Sequence, residues 1–263
     1  ARRFPGWPGG RLGRLDGRVV GSSGDWMTGW NVRWPEGSVA DRHGPVGEIS
    51  ERSVLRHRVP RSTVVLGSGQ RNLSGLVDRA AANGLDVVRR RSGGGAVLLQ
   101  HEGVLWVDVL VPRNDPLWDD DVGRSSIWLG ATWCEALAVS GVAADVHRGS
   151  FICGLAGRAV CFVGRAAGEV VSEGRKVAGI SQRRDRSGAR FQCAVLLGAD
   201  AAARSVAPLV DLLGLVPRAE VLAEVEATVS GVVIPGVADV DTAGVAAADH
   251  LFDAFMEAIS STG

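Results

Sequence analysis

The chain has 263 residues, enough for one large α/β domain or for a medium domain with a small appendage. Its hydrophobic residues, 46% of the total, can form a sizeable core, and a formal net charge of zero provides no overall field toward nucleic acid or membranes. Apolar runs are too short to span a bilayer and no export signal is visible, so we expect a cytoplasmic protein with neither nucleic acid nor a membrane as partner. The first residue is not Met, which leaves open whether the N-terminus is complete.

Composition divides the chain into three segments. Residues 1–50 are rich in Gly, Arg and Trp and show little periodicity, so this N-terminal segment either stands apart or forms part of the core domain. Residues 51–200 mix strand-like and helix-like patterns, which predicts the main domain. Residues 201–263 show only helical spacing, which predicts a helical C-terminal extension.

The predicted elements follow from apolar periodicity and turn residues. Predicted strands are 63–66, 85–90, 96–99, 104–111, 159–163, 169–171, 176–180 and 192–197, with 96–99 and 104–111 resembling a hairpin pair. Predicted helices are 73–83, 115–141, 200–213, 218–229 and 246–259. This order predicts an α/β (α+β) fold, in which a mixed, partly antiparallel sheet is flanked by helices and followed by a short helical tail.

A glycine-rich motif stands at Arg89-Arg90-Arg91-Ser92-Gly93-Gly94-Gly95-Ala96-Val97. Glycines permit positive φ angles and let a ligand approach the backbone, whose exposed amides can bind an anion. The arginines can pair with carboxylate or phosphate. The motif is neither a P-loop nor a dinucleotide fingerprint, and a plain hairpin turn remains open as an alternative.

Lys176 is the only lysine of the chain and lies in Gly174-Arg175-Lys176-Val177-Ala178-Gly179. All other basic residues except histidine are arginine. Lysine is a compact point charge, whereas arginine is a planar fork, so this segment indicates a site that needs an ammonium group. A chance lysine in an arginine-biased sequence is the alternative.

Together the two segments resemble the lipoate-protein ligase A-like branch of the biotin/lipoate ligase and lipoyl/octanoyl transferase family. The resemblance rests on the arginine pair and Ser92 before Gly-Gly-Gly-Ala-Val, and on Gly-Arg-Lys-Val-x-Gly-x-x-Gln-Arg at 174–183. The stretch 191–197 is similar to the strand that closes this region, and the resemblance covers roughly residues 53 to 200. Two ordered motifs are far more specific than either alone.

The resemblance implies a catalytic domain of the biotin/lipoate ligase type that uses ATP and Mg²⁺ to convert lipoate or octanoate to an acyl-adenylate. The acyl group would then pass to a lysine of a carrier domain, in E2 subunits or in a glycine-cleavage H-type protein. The catalytic Lys176 would hold the acyl carboxylate or adenylate oxygens, because a fixed cation offsets the repulsion between two anions. Biotin remains open as the acid.

The remaining site residues implied by the resemblance belong to the two motifs and would bind substrate and nucleotide. They are Arg89, Arg90, Ser92, Gly93, Gly94, Gly95, Ala96, Gly174, Arg175, Gly179 and Gln182.

Cys161 suggests an ATP-independent alternative. In the cysteine-dependent octanoyltransferases of this family, a Cys-Phe pair precedes the Gly-Arg-Lys lysine by the spacing that separates Cys161-Phe162 from Lys176. Such an enzyme takes its acyl group from acyl carrier protein onto a thiolate. The competing interpretation is a small apolar residue in the predicted buried strand 159–163.

A third reading is a non-catalytic member that binds an acyl group or a carrier domain. It is motivated by two departures from the family pattern: Leu98-Leu99-Gln100 where His-Asp is usual, and Gln192-Cys193-Ala194 where Gln-His-Gly is usual.

We predict no metal held by protein ligands. The four cysteines have no metal-ligand spacing, and Asp119-Asp120-Asp121 is typical of an acidic helix start.

Overall fold

The computed structural model describes residues 13–15, 18–20, 29–71, 73–237 and 243–262. A seven-stranded sheet forms its centre, and every neighbouring pair is antiparallel except the first. In spatial order its strands are β3 (Asn31–Arg33), β4 (Ser53–His57), β8 (Val104–Pro112), β12 (Gly188–Leu196), β11 (Arg175–Arg184), β10 (Val170–Ser172) and β9 (Asp145–Val146).

A smaller sheet covers one face of the large one. In this sheet the central strand pairs in parallel with one neighbour and antiparallel with the other, in the order β6 (Asp86–Arg89), β5 (Thr63–Leu66) and β7 (Val97–Leu99). A separate two-stranded ribbon joins β1 (Gly13–Leu15) and β2 (Arg18–Val20). The helices are α1 (Val39–Arg42), α2 (Leu76–Ala82), α3 (Ile127–Val139), α4 (Ala207–Leu213), α5 (Arg218–Thr228) and α6 (Ala243–Ser260), with a π-helix (Ala202–Val206) leading into α4.

The two faces of the large sheet bury two different cores, because successive side chains of a strand point to opposite faces. On one face Phe191 and Cys193 of β12 pack with α3 and α6, where Trp133 stacks on Phe255 at 4.0 Å between ring centroids. On the other face Trp106 of β8 packs with the small sheet, α4 and α5. Strands β8 and β12 are therefore almost continuously buried and lack the apolar-polar alternation of a half-exposed strand.

The predicted fold class is confirmed: a mixed, mostly antiparallel sheet is flanked by helices. The predicted hairpin is wrong, because the strands at 97–99 and 104–112 lie in different sheets. β7 pairs with β5, whereas β8 pairs with β4 and β12. Both runs are continuously apolar, and periodicity does not reveal which neighbour such a strand takes.

Two further predicted elements differ from the structure. The helix predicted from 115 begins only at Ile127, because the Asp115 carboxylate accepts a hydrogen bond from the Leu117 amide in a turn and pairs with Arg52. The strand predicted at 159–163 is a set of turns in which Val160 alone forms a bridge, to Ala96.

The C-terminal helix α6 packs on α3 within the first core. The proposed division into segments at 50 and 200 stays a prediction. Among the described residues, no helix combines the length and the apolar character needed to cross a bilayer.

Candidate active site

A small cleft, partly open to solvent, lies between the large sheet and the small sheet. Its walls are mainly apolar, with a few polar groups among them, as is typical of small-molecule sites. The apolar lining comprises Val65, Val97, Leu99, Trp106, Phe162, Cys193 and Ala194, and the remaining lining residues are His43, Arg90, Cys161, Gly179, Ser181 and Gln192.

The glycine loop (residues 92–96) is attached to the turns that carry Cys161. Ala96 N donates to Ala159 O at 2.7 Å, and Cys161 N donates to Ala96 O at 3.0 Å. Gly95 permits this approach: a Cβ on Gly95 would lie 2.7 Å from Cys161 N, closer than real Cβ contacts. The loop therefore fixes where Cys161 stands in the wall of the cleft.

Arg90 shapes the glycine loop from inside. Its guanidinium is 4% exposed and donates hydrogen bonds to Gly93 O at 2.8 Å and Gly95 O at 2.9 Å. Burial lowers the pKa of Arg90, while a hydrogen bond with the Cys161 thiol and the nearby charge of Glu169 oppose that shift. Arg90 thus lines the cleft beside Cys161 as a fixed cation.

The other polar residues of the first motif hold the loop to its neighbours. Arg89 is exposed, and its guanidinium donates to the backbone carbonyls of Gly67, at 3.0 Å, and Gln70. Ser92 is buried, and its hydroxyl donates to Gln192 Oε1 at 3.0 Å and lies 3.0 Å from Ser181 Oγ. These contacts are structural in this conformation of the protein.

The glycine loop contains backbone amides that have no protein partner among the described residues. In the described part of the chain, no protein acceptor takes a hydrogen bond from the amides of Gly93, Gly94 or Gly95. Gly93 and Gly94 are exposed, and Gly94 has a φ of +96°, a conformation that favours glycine. Successive unpaired amides around a positive-φ residue form a concavity that suits an anion such as phosphate.

Lys176 reaches this region because β11 contains a bulge. The register with β10 shifts between Val170 and Val171, so that one step on β10 matches two on β11. Val177 and Ala178 consequently both pack into the first core, and Lys176 is turned to the opposite face. Lys176 does not line the cleft itself; its ammonium lies behind the lining residues Cys161 and Phe162, 5.2 Å from the Phe162 ring centroid. Its role as a catalytic residue stays a prediction.

The ammonium of Lys176 is fully enclosed by the protein. It is 1% exposed and contacts Cys161 O at 2.7 Å, Gly164 O at 2.9 Å and Glu169 Oε2 at 2.7 Å. These three acceptors match the three N–H donors of an ammonium group. All three acceptors come from residues 161–169, so a single segment of the chain holds the lysine.

Glu169 balances this charge, and no motif of the sequence marks it. The carboxylate is 4% exposed and also accepts a hydrogen bond from Ala166 N at 2.7 Å. A buried cation needs such a partner because an unpaired charge in the protein interior is costly. Only its position on the predicted strand 169–171 could have drawn attention to it.

Comparison with known proteins gives the family. The profile of the lipoyl protein ligase A/B catalytic domain matches residues 46–225. The chain belongs to this family. A search of curated proteins finds no match.

Solved structures of this family share the fold. A lipoate-protein ligase A bound with ATP aligns with a TM-score of 0.59 at 17% identity, covering 89% of this chain and 84% of that one. A bipartite lipoate protein ligase from Thermoplasma acidophilum, studied with its E2 lipoyl domain, gives 0.58 at 19% identity, covering 90% and 84%. The T. acidophilum protein Ta0514 with bound lipoic acid gives 0.58 at 16%, covering 89% and 84%.

The remaining residues of the second family motif divide between the two faces of β11. Gly179 lines the cleft, next to Lys176 Cε. Gly174 and Arg175 form the turn before the lysine, where Gly174 O accepts from Arg165 at 2.6 Å and Arg175 lies near Glu173. Gln182 faces away from the cleft and bonds to Ser125 and Val122, because it lies one position along the strand from Ser181. Its role as a binding residue stays a prediction.

The cysteines occupy different environments. Cys161 is half-buried and lines the cleft, whereas burial raises the pKa of Cys134 to about 11. Burial also raises the pKa of Cys193 far above its usual value. Cys161 is therefore the cysteine with both access to the cleft and a cation beside it.

Several cleft residues were missed by sequence reasoning: His43, Trp106, Ser181 and Gln192. They lie in four separate elements or turns, and no local spacing connects them. Within the described residues, no group of three His, Cys, Asp or Glu side chains could hold a metal ion.

Proposed function

We propose that this protein attaches a lipoyl or octanoyl group to a lysine of a carrier domain, after activating the acid with ATP as an acyl-adenylate. The observation that carries this proposal is the apolar cleft lined by Arg90 and Cys161, with the glycine loop and Lys176 both bonded to the backbone of Cys161. An acyl chain and its anionic head would each meet a suitable surface there.

The apolar part of the cleft suits a medium-length acyl chain. Val65, Val97 and Leu99 form one wall, and Trp106 and Phe162 are further apolar lining. Each methylene moved from water into such a site contributes about 0.8 kcal/mol, so chain burial would supply much of the affinity. The same lining accepts lipoate and octanoate.

The glycine loop suits the phosphates of the nucleotide. The unpaired amides of Gly93, Gly94 and Gly95 would bind phosphate oxygens, and the exposed arginines of the motif add positive charge. ATP supplies the adenylyl group that makes the acyl carbon reactive. Because no group of three His, Cys, Asp or Glu side chains in the described region could hold a metal ion, Mg²⁺ would be held mainly by phosphate and water.

Lys176 would contribute its ammonium to an acyl or phosphate oxygen. Since its three hydrogen bonds are occupied, an oxygen must take the place of an existing acceptor. The backbone carbonyls of Cys161 and Gly164 are neutral acceptors, and exchanging one for an anion strengthens the interaction. Glu169 would keep the lysine positioned throughout.

The acyl acceptor would be a lysine of a carrier domain, either an E2 lipoyl domain or an H-type protein. The likeness to a ligase studied with its E2 lipoyl domain supports the first of these. This chain would orient the acyl carbon in the cleft and leave the incoming amine a path from solvent. A cytoplasmic location remains a prediction.

The decisive experiment is ATP–pyrophosphate exchange with purified protein, with and without lipoate or octanoate. We expect exchange only with an acid present, followed by a mass increase of an added lipoyl domain. Absence of exchange by folded protein with either acid would refute adenylate formation.

Cys161 carries a second candidate function, because its thiol lines the cleft beside Arg90. The thiolate would attack the thioester carbonyl of an acylated acyl carrier protein, and the carrier's thiol would leave as a new thioester forms on Cys161. The carrier-domain amine would then attack that carbonyl, form the amide and release the Cys161 thiolate.

Transfer from octanoyl-acyl carrier protein without ATP tests the second candidate. We expect an octanoyl-protein adduct in the native chain and none in Cys161→Ser. Transfer that persists in the serine variant would exclude a cysteine intermediate. If neither assay gives product while a lipoyl domain still binds, the result supports a non-catalytic protein that binds the carrier domain.

A further inference from the structure

His43 is a buried histidine in the wall of the cleft, and neither motif contains it. It follows α1, is 6% exposed, and lines the same cleft as Arg90 and Cys161. The protein holds it in place with several buried polar groups, each of which costs free energy to remove from water.

The backbone on both sides of His43 is clamped by Arg190 of β12. The Arg190 guanidinium donates to Gly44 O at 2.9 Å and to Arg42 O, the two carbonyls that flank the histidine. Arg190 is itself bonded at 2.8 Å to the carboxylate of Asp108, which has no exposed surface. This buried ion pair fixes the position of a residue that is far from it in sequence.

The imidazole ring is held separately. It stacks on Trp106 with 4.7 Å between ring centroids, and Trp106 Nε1 donates to Asp108 at 2.9 Å. His43 Nδ1 lies 3.1 Å from Gln192 Nε2. Two strands therefore determine where this ring stands and how it is turned.

The hydrogen-bond chain also assigns the tautomer. Ser92 Oγ donates to Gln192 Oε1 at 3.0 Å, so the amide oxygen of Gln192 is used by the serine and its amide nitrogen faces the histidine. The amide nitrogen only donates, which makes Nδ1 of His43 the acceptor and leaves the proton on Nε2. Within the described residues, His43 Nε2 is buried and has no hydrogen-bond partner.

His43 is neutral at physiological pH. Burial lowers the pKa of His43 to about 4. The negative charge of Asp108 opposes this shift, whereas Arg190, Arg90 and His57 lower the pKa further. A neutral ring with its proton on Nε2 can donate a hydrogen bond but has no free lone pair for a proton on that side. It is therefore not suited to act as a general base there.

We propose that His43 Nε2–H donates a hydrogen bond to the head oxygen of the acyl substrate, the carboxylate of the acid or the carbonyl of its activated form. An unpaired buried donor is costly, and a ligand oxygen in the cleft removes that cost. The inference rests on the proposed function only in that the ligand is an acyl compound. It adds a third recognition element to Arg90 and Lys176.

Three substitutions of His43 distinguish the effect of its Nε2–H hydrogen-bond donor from the effect of its ring packing against Trp106. His43→Phe keeps a ring against Trp106 but has no donor. His43→Gln can place an amide nitrogen near the former Nε2, whereas His43→Asn can place one only near Nδ1. We expect Phe and Asn to bind octanoic acid and lipoic acid about tenfold to a hundredfold more weakly, and Gln to stay within about threefold of the native chain.

His57→Phe is the matched control. His57 also packs on Trp106, with 4.2 Å between ring centroids, and its Nε2 lies 3.0 Å from Asp108, but it does not line the cleft. Calorimetric titration of each folded variant without ATP, with circular dichroism as the check on folding, should show that the control loses stability but keeps its affinity for octanoic acid.

Four results would overturn the proposal: native affinity in His43→Phe, a loss in Gln that exceeds the loss in Asn, a loss for lipoic acid alone, or no acid binding by the native chain. A loss for lipoic acid alone would instead indicate its dithiolane ring as the acceptor. If acid binding depends on His43 and no ATP–pyrophosphate exchange occurs, the inference stands and the ligase function fails.

Discussion

The buried ion pair of Lys176 and Glu169 has a large desolvation cost. Taking two charges out of water costs several kcal/mol per ion, and the pair is often no more stable than apolar residues of the same size. The pair is nevertheless completed by two backbone carbonyls and by the Ala166 amide, so that no partner is missing. Such an arrangement keeps an ammonium at a defined place behind the cleft.

Substitutions of Lys176 and Glu169 should therefore affect stability and activity differently. Lys176→Met leaves the Glu169 carboxylate buried without its cation, and we expect unfolding in urea to show a loss of about 3–5 kcal/mol. Lys176→Met combined with Glu169→Gln removes both charges and keeps an acceptor for Ala166, so most of that stability should return. Acyl transfer should be lost in both variants. Full activity in the double variant would contradict a role for the ammonium.

The buried His43 predicts how stability depends on pH. The unfolded chain takes up a proton on this residue near pH 6.5, and the folded protein takes it up only near pH 4. Between these values the unfolded state binds more protons, so the folded state loses stability as the pH falls from 6.5 to 4. Above pH 6.5 His43 is neutral in both the folded and the unfolded state, so its protonation no longer lowers the free energy of unfolding.

Urea unfolding at about pH 7 and about pH 5 measures this effect. The native chain should lose stability between the two, and His43→Phe should lose distinctly less. The lowered pKa of Asp108 acts only below its ordinary value of 3.8 and does not enter this window. An equal loss in both proteins would exclude His43 as the cause.

At the scale of elements, local irregularities create the site. The bulge in β11 turns Lys176 away from the first core, and the close contact at Gly95 presses the glycine loop against the backbone of 159–161. A regular strand would have placed Lys176 on the same face as Ala178.

Alanine substitutions in the glycine loop test this contact. In Gly95→Ala the new Cβ meets backbone atoms of Cys161, Ala159 and Val160 at 2.7–2.8 Å, so we expect a loss of about 1–3 kcal/mol and lower activity. Gly93→Ala is the matched control, since nothing lies within 4 Å of its Cβ, and its stability should change by less than about 0.5 kcal/mol. Thermal unfolding compares them; equal melting temperatures would refute the contact.

At the scale of the whole molecule, one sheet serves two cores. Strands β8 and β12 contribute side chains to both, so the cleft on one face rests on a sheet that is stabilised by α3 and α6 on the other. The C-terminal helix is thereby linked to the site without touching it.

Phe255→Ala tests that link. Removing a fully buried ring that stacks on Trp133 should cost about 3–5 kcal/mol in urea unfolding and should lower the melting temperature of the whole domain in one transition. Val245→Ala on the same helix, 49% exposed, should have an effect below about 0.5 kcal/mol. A separate early transition in Phe255→Ala would indicate that the C-terminal part unfolds independently, as the proposed boundary at 200 implies.

Elements whose apolar pattern is local could be predicted from the sequence. The apolar spacing of α6 predicts its buried residues, and Leu251, Phe252, Phe255, Met256 and Ile259 are all buried. The two motifs likewise drew attention to the glycine loop and to Lys176, because a close backbone approach favours glycine and lysine differs chemically from arginine. Their roles in binding and catalysis stay predictions.

How these parts meet depends on the folded protein and could not be predicted from local patterns. The partners of β7 and β8, the half-buried place of Cys161, the pairing of Lys176 with Glu169 and the enclosure of His43 all depend on contacts between segments far apart in the chain. A strand pattern repeats every two residues and a helical pattern every 3.6 residues. Such a pattern shows which face of an element is apolar, but it does not show which other element packs against that face. The lining of this cleft is set by those neighbours.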